Sequence, residues 1–169
     1  MLELEATIES CRLDIIAIQE HWMGNECGDF IINNMSVVSF FARKNRANGG
    51  VCIMLRKDLK YVHVNDIDRL AVESSFEVVA VKLVDYNLII VSMYRPPNGD
   101  MSIYHERLDS LLSCLQNSKA SIMIGGGFNI HFNVKNDSTE QTVDTFGACG
   151  LTSVVDFQTR GKHFRQRVY

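Results

Sequence analysis

Two apolar runs of strand length, "FEVVAVKLV" (76–84) and "LIIVSMY" (88–94), are separated only by "DYN", and the second runs straight into "RPPNGD". Valine and isoleucine dominate both runs. So short a connection joins antiparallel neighbours, and the pair reads as a hairpin. The prolines stop the second strand, because proline has no N–H for the ladder and restrains the residue before it. A hairpin at the centre of the chain means that other segments must extend its sheet and cover its faces.

Those segments can be read along the chain. "LELEATIESCRL" (2–13) spaces Leu4, Ile8 and Cys11 as a short helix would, and "DIIAIQE" (14–20) follows as a buried strand ending at Gln19 and Glu20. "VVSFFA" (37–42) and "GVCIML" (50–55) are further strands around the basic turn "RKNRANGG", and "YVHVN" (61–65) is a shorter one. From Met101 to Asn117, Ile103, Leu108, Leu111, Leu112 and Leu115 line one face of an amphipathic helix. "SIMIG" (121–125) reads as another buried strand. "STEQTVDTFGACG" (138–150) reads as a helix with Ser138 as its N-cap and Gly150 as its stop. No repeat or linker divides the chain, so residues 1–169 are expected to form one domain in which helices cover packed sheets. Strict βαβ alternation does not fit.

Bulk properties narrow the setting. With 46% hydrophobic and 22% charged residues, the chain has enough apolar side chains for a core and is not a disordered polyelectrolyte. A net charge of −3 gives no general attraction to nucleic acid or anionic lipid. Five cysteines without a C-x-x-C pair argue against a zinc site or disulfide framework and suggest a reducing compartment. No apolar run approaches the roughly 18 residues of a membrane span, and the N-terminus carries glutamates where a signal peptide has lysines. The expected setting is intracellular, nuclear or cytoplasmic, with no membrane partner.

Three strands stop abruptly in polar side chains: "IQE" (18–20), "YRPP" (94–97) and "GGGFN" (125–129). The glycines at 125–127 lack the lysine and Ser/Thr of a P-loop and the G-x-G-x-x-G of a dinucleotide site, so they are not a nucleotide cradle. In a layered fold, such strand ends can share a rim. A carboxylate there can hold Mg²⁺, which takes one or two protein oxygens and keeps several waters. A tyrosine and an asparagine amide can orient a phosphate.

In this order, "DIIAIQEHW", "NGGVCIMLRKDL", "FEVVAVKL", "VSMYRPPNGD", "IMIGGGFNIHF" and "GLTSVVDFQTRG" resemble the endonuclease/exonuclease/phosphatase superfamily (DNase I-like). They are most similar to the endonuclease domain of non-LTR retrotransposons. The resemblance implies a four-layer α/β/β/α sandwich of two packed mixed β-sheets flanked by helices. It implies DNA nicking by phosphodiester hydrolysis dependent on Mg²⁺ or Mn²⁺, with a reverse transcriptase domain in the full-length context. Glu20 matches the metal-binding glutamate, and Tyr94 and Asn129 match the tyrosine and asparagine of the catalytic site. Arg95 lies beside them as a nucleic-acid contact. His131 stands where related sequences often carry histidine, whereas His163 in the basic tail matches no motif.

The family pattern G-D-F-N reads G-G-F-N here, with Gly127 in place of the catalytic aspartate. A missing positioned base costs about 10²–10⁴ in rate, so weak or absent activity is expected. The chain also begins after the family's first strand and stops before the Ser-Asp-His-like motif of its last. That leaves sheet edges free for a partner strand or a second copy, and leaves Gly127→Asp alone short of full turnover. Two other readings compete. The first is a noncatalytic nucleic-acid-binding module using "RKNR", "RKDLK" and "RGKHFRQR". The second is a hydrolase of the same superfamily acting on a phosphorylated small molecule or lipid headgroup.

Overall fold

The computed structural model describes residues 2–44, 48–130 and 137–155. The central hairpin forms as expected. β6 (Glu77–Leu83) and β7 (Leu88–Tyr94) pair antiparallel along their full length, with Glu77 opposite Tyr94 and Leu83 opposite Leu88. β5 (Tyr61–His63) adds to the free side of β6, and β8 (Ser121–Gly127) lies parallel to β7, giving the order β5-β6-β7-β8. Parallel neighbours need a crossover. Here it is α3 (Met101–Gln116), capped by Asp100, whose carboxylate accepts the N–H groups of Ser102 (2.8 Å) and Ile103 (3.2 Å). Its buried face is Tyr104, Leu108, Leu111, Leu112 and Leu115. Ile103, expected in that stripe, is only half-buried.

β1 (Ile15–Gln19), β2 (Ile31–Ile32), β3 (Met35–Phe41) and β4 (Val51–Arg56) form a second sheet, ordered β1-β4-β3-β2 and antiparallel throughout. The hairpin sheet is therefore the mixed one. Val51, Ile53 and Leu55 meet Val79, Val81, Leu83 and Ile90 between the sheets. α1 (Leu2–Cys11) packs Ile8 against Ile32, Met35 and Met54 on the outside of the second sheet. On the outside of the hairpin sheet, α3 and Phe146 of α4 (Asp137–Ala148) close the core, and a one-turn α2 (Asn65–Asp68) adds Ile67. The result is a four-layer α/β/β/α sandwich, helices outside and sheets inside.

Two strands expected to be buried are not. β1 and β8 are outer strands of their sheets among the described residues, each with one ladder neighbour. All five β1 residues are half-buried, and Met123 in β8 is 56% exposed, whereas β7, with strands on both sides, is buried from Ile89 to Tyr94. Ser138 is also misplaced as a cap, because α4 begins one residue earlier at Asp137. Gly150 does end that helix, with φ +70° and the Leu151 N–H returning to the Phe146 carbonyl at 3.1 Å. His131, His163 and the basic tail lie outside the described residues.

One glycine is demanded by the β7–β8 contact. A Cβ on Gly126 would sit 1.8 Å from the carbonyl oxygen of Met93, its ladder partner. Gly126→Ala is therefore expected to lower stability by about 1–3 kcal/mol through overpacking, read as a shift in the urea midpoint. An unchanged midpoint would contradict this packing.

Candidate active site

The rim forms because β1, β7 and β8 end on the same side of the sandwich. Tyr94, the last residue of β7, is level with Gly127, the last of β8. Glu20 follows β1 directly, and the Tyr94 hydroxyl donates a hydrogen bond to its Oε1. Just behind, Gln19 Nε2 donates to Ser92 Oγ at 3.2 Å and ties the two sheets together. Burial, then the hydrogen bond to Glu20 and its negative charge, push the Tyr94 phenol up to about 12. Tyr94 therefore keeps its proton at neutral pH and acts as a donor.

Glu20 sits on a left-handed backbone, φ +57°, as does Trp22 at +56°. Non-glycine residues adopt this region at a cost, so something must hold them there. Their N–H groups donate to the carbonyls of Gly50 (2.8 Å) and Gly49 (3.2 Å). Between them, the Nε2–H of His21 donates to the Phe41 carbonyl at 3.0 Å, and Nδ1 accepts the Met23 N–H at 3.1 Å. These two partners define the tautomer, since a carbonyl only accepts and an amide N–H only donates. A Cβ on Gly50 would lie 2.3 Å from His21 Nε2, so glycine is what lets the imidazole reach Phe41.

Beneath this turn lies an acid whose role sequence reading missed. Glu77 opens β6 opposite Tyr94 and is fully buried. Its carboxylate accepts hydrogen bonds from Arg43 Nε, from the Gly50 N–H at 2.7 Å and from the Ser74 N–H at 3.2 Å. Gly50 thus receives Glu20 on its carbonyl and gives its N–H to Glu77, which links the buried acid to the rim. A carboxylate at the head of a strand whose next four residues are all apolar is the available signal. Arg43, the first residue of the basic "RKNR" run, has its side chain 8% exposed and paired with Glu77.

Asn129 and Arg95 form a second support. The Arg95 N–H bonds to the Gly127 carbonyl at 2.9 Å, and its guanidinium donates to the carbonyls of Phe128 (2.8 Å), Asn129 and Pro96 (3.2 Å). In return, Asn129 Nδ2 donates to the Arg95 carbonyl at 2.7 Å. Arg95 is 6% exposed and lies 5.9 Å over the Tyr104 ring. Three of its five N–H groups are spent on backbone. Arg95 thus clamps Asn129, itself at φ +49°, one residue past Phe128. Among the described residues, the side-chain Oδ1 and the second amide hydrogen of Asn129 have no hydrogen-bond partner. Beside it, a Cβ on Gly127 would face the Tyr94 ring at 3.2 Å, so that position looks toward Tyr94 and Glu20.

Neither the family models nor the curated proteins contain a match to this chain. A solved structure does match: the endonuclease domain of TRAS1, a telomere-specific non-LTR retrotransposon, at TM-score 0.66 and 18% identity. The superposition covers 88% of this chain and 65% of that one. The fold is DNase I-like. At this identity the likeness concerns architecture.

Within the endonuclease-like fold, the described residues contain no cluster of three or more His, Cys, Asp or Glu side chains suited to a metal. A zinc-type cage is therefore absent there, but Mg²⁺ asks for less. One or two carboxylates with water suffice, and the Glu20 carboxylate offers oxygens of that hard kind. Other charged features lie elsewhere. "RKDLK" starts at Arg56, opposite the Asp14 end of β1, so five residues of strand, about 17 Å, separate it from Glu20. Arg56 there pairs with Asp14 and Asp58. A cavity of about 370 Å³ opens at that same far end, lined in part by Arg12, Asn33 and Arg56. Glu20, Tyr94 and Asn129 are not part of its lining. No helix among the described residues is long and apolar enough to cross a membrane.

Proposed function

We propose that this chain is a retrotransposon-type endonuclease domain, of the Mg²⁺- or Mn²⁺-dependent DNA-nicking lineage, with weak or no turnover of its own. The observation that carries this reading is the Tyr94–Glu20 hydrogen bond at a rim shared with Asn129, in a fold like that of a retrotransposon endonuclease domain. Glu20 would hold the metal, which when bound supplies Lewis acidity to a phosphoryl oxygen. The Tyr94 O–H, released from Glu20, and the second amide hydrogen of Asn129 donate to the remaining phosphate oxygens and fix the phosphorus for in-line attack. At Gly127, no side chain accepts a proton from water.

That blank position also favours the noncatalytic alternative, a DNA-binding module of the same fold. Its binding should fall steeply with salt, because phosphate contacts release counterions. The reverse transcriptase partner and the intracellular setting belong to the same proposal. So does association through the outer edges of β1 and β8, unpaired among the described residues, since an unpaired strand edge is a template for another.

A supercoiled-plasmid assay tests the reading. With Mg²⁺ the unmodified chain is expected to bind DNA but nick it slowly or not at all, with Glu20→Gln and Tyr94→Phe removing any residual activity. Rapid nicking would refute the impairment, and failure to bind any DNA at low salt would refute the assignment.

A further inference from the structure

The "QEHW" segment contains one residue that the rim chemistry leaves unused. Trp22 is the chain's single tryptophan, and its side chain is 59% exposed. We propose that Trp22 is a stacking platform for an unpaired nucleobase adjoining the phosphate at Glu20. This assignment rests on the nucleic-acid reading above and adds a contact to it.

The backbone holds the ring in place before any ligand arrives. Trp22 is locked at φ +56° by its bond to Gly49, and the residues on either side are pinned through Gly50, Phe41 and the His21 ring. The half-buried His21 ring is turned to the Phe41 carbonyl, whereas the next side chain, Trp22, is exposed. Keeping a bulky aromatic residue left-handed and in water is doubly unfavourable, and packing within the chain returns little to a ring so exposed. A ligand that covers the ring would recover that cost.

Position selects the ligand. The Cα atoms of Glu20 and Trp22 are at most about 7.6 Å apart, two peptide units. Successive nucleotides in B-form DNA rise about 3.4 Å along a strand, so a phosphate at Glu20 brings a base one or two steps away within reach of the indole. A paired base inside a duplex already has both faces stacked. Only an unpaired or extruded base offers a free face, and any of the four bases can do so. Arg43, which lies against Gly49, is committed to Glu77, and the contact proposed here comes from the ring face.

Because Trp22 is the sole tryptophan, its emission reports the contact directly. The unmodified chain is titrated with an end-labelled single-stranded oligodeoxynucleotide and with the matching duplex. Label anisotropy measures binding while indole fluorescence measures stacking. The single strand is expected to quench the emission at saturation, and the same strand with abasic sites is not. Trp22→Phe, which keeps an aromatic face, should bind the single strand within about threefold of the original, and Trp22→Leu about tenfold more weakly. Binding with unchanged emission, or Trp22→Leu binding as tightly as the original, overturns the platform while leaving the nucleic-acid reading intact. Failure of the unmodified chain to bind either oligonucleotide overturns both.

Discussion

Gly127→Asp is expected to raise Mg²⁺-dependent plasmid nicking by about 10²–10⁴-fold over the unmodified chain, the range a positioned general base supplies. The direction of the missing side chain supports this. A Cβ at 127 faces Tyr94 Cδ2 at 3.2 Å and Cε2 at 3.6 Å, so a carboxylate built there emerges on the side where Tyr94 meets Glu20. The first contact is tight, and the tyrosine ring must yield by a few tenths of an ångström. The new carboxylate would also stand near that of Glu20, and like charges repel unless a divalent cation lies between them. The gain should therefore require metal and vanish with chelator. Gly127→Asn, nearly the same size but unable to accept the proton from water, should give no comparable gain. Equal rates for the aspartate and asparagine variants would sink the account of Gly127 as the missing base.

Glu77→Ala is expected to cost about 3–5 kcal/mol of stability, the range for removing one partner of a buried ion pair. The loss leaves the Arg43 guanidinium 8% exposed without its carboxylate, and removes the acceptor for the Gly50 and Ser74 N–H groups. Glu77→Gln should lose less, because an amide oxygen still accepts part of that set. Urea unfolding measures both. If the alanine variant unfolds at the original midpoint, the carboxylate is not the anchor described here. Because Gly50 also carries Glu20, the same substitution should loosen the rim. Any binding of DNA that depends on Glu20 should weaken at temperatures where the variant is still folded.

The elements were largely legible because short-range physics specifies them. The 3-to-4 spacing of Leu108, Leu111, Leu112 and Leu115 gives α3 its buried face, and the apolar runs around "DYN" give β6 and β7. The strand ends at Glu20, Tyr94 and Asn129 could be named for the same reason, since polar residues that stop an apolar run mark the end of a strand. What was misread depended on neighbours remote in the chain. "DIIAI" and "SIMIG" look like buried strands, yet β1 and β8 lie at the outside of their sheets. Arg43 looks like part of a basic turn and Arg95 like a contact beside the rim, and both side chains have their partners inside the fold.

Alone, the sequence determined the longer strands and helices, the hairpin, and the absence of an acid at 127, all of which follow from residue type and near-neighbour spacing, whereas the short β2 and α2 carry no such signal. Only the tertiary structure decided which ends meet. Tyr94 reaches Glu20 across 74 residues, and Arg95 and Asn129 clasp each other across 34, as do Arg43 and Glu77. No local period encodes contacts so distant. They arise when two sheets bury a common apolar face and carry their loops to one rim, where each buried charge must find a partner.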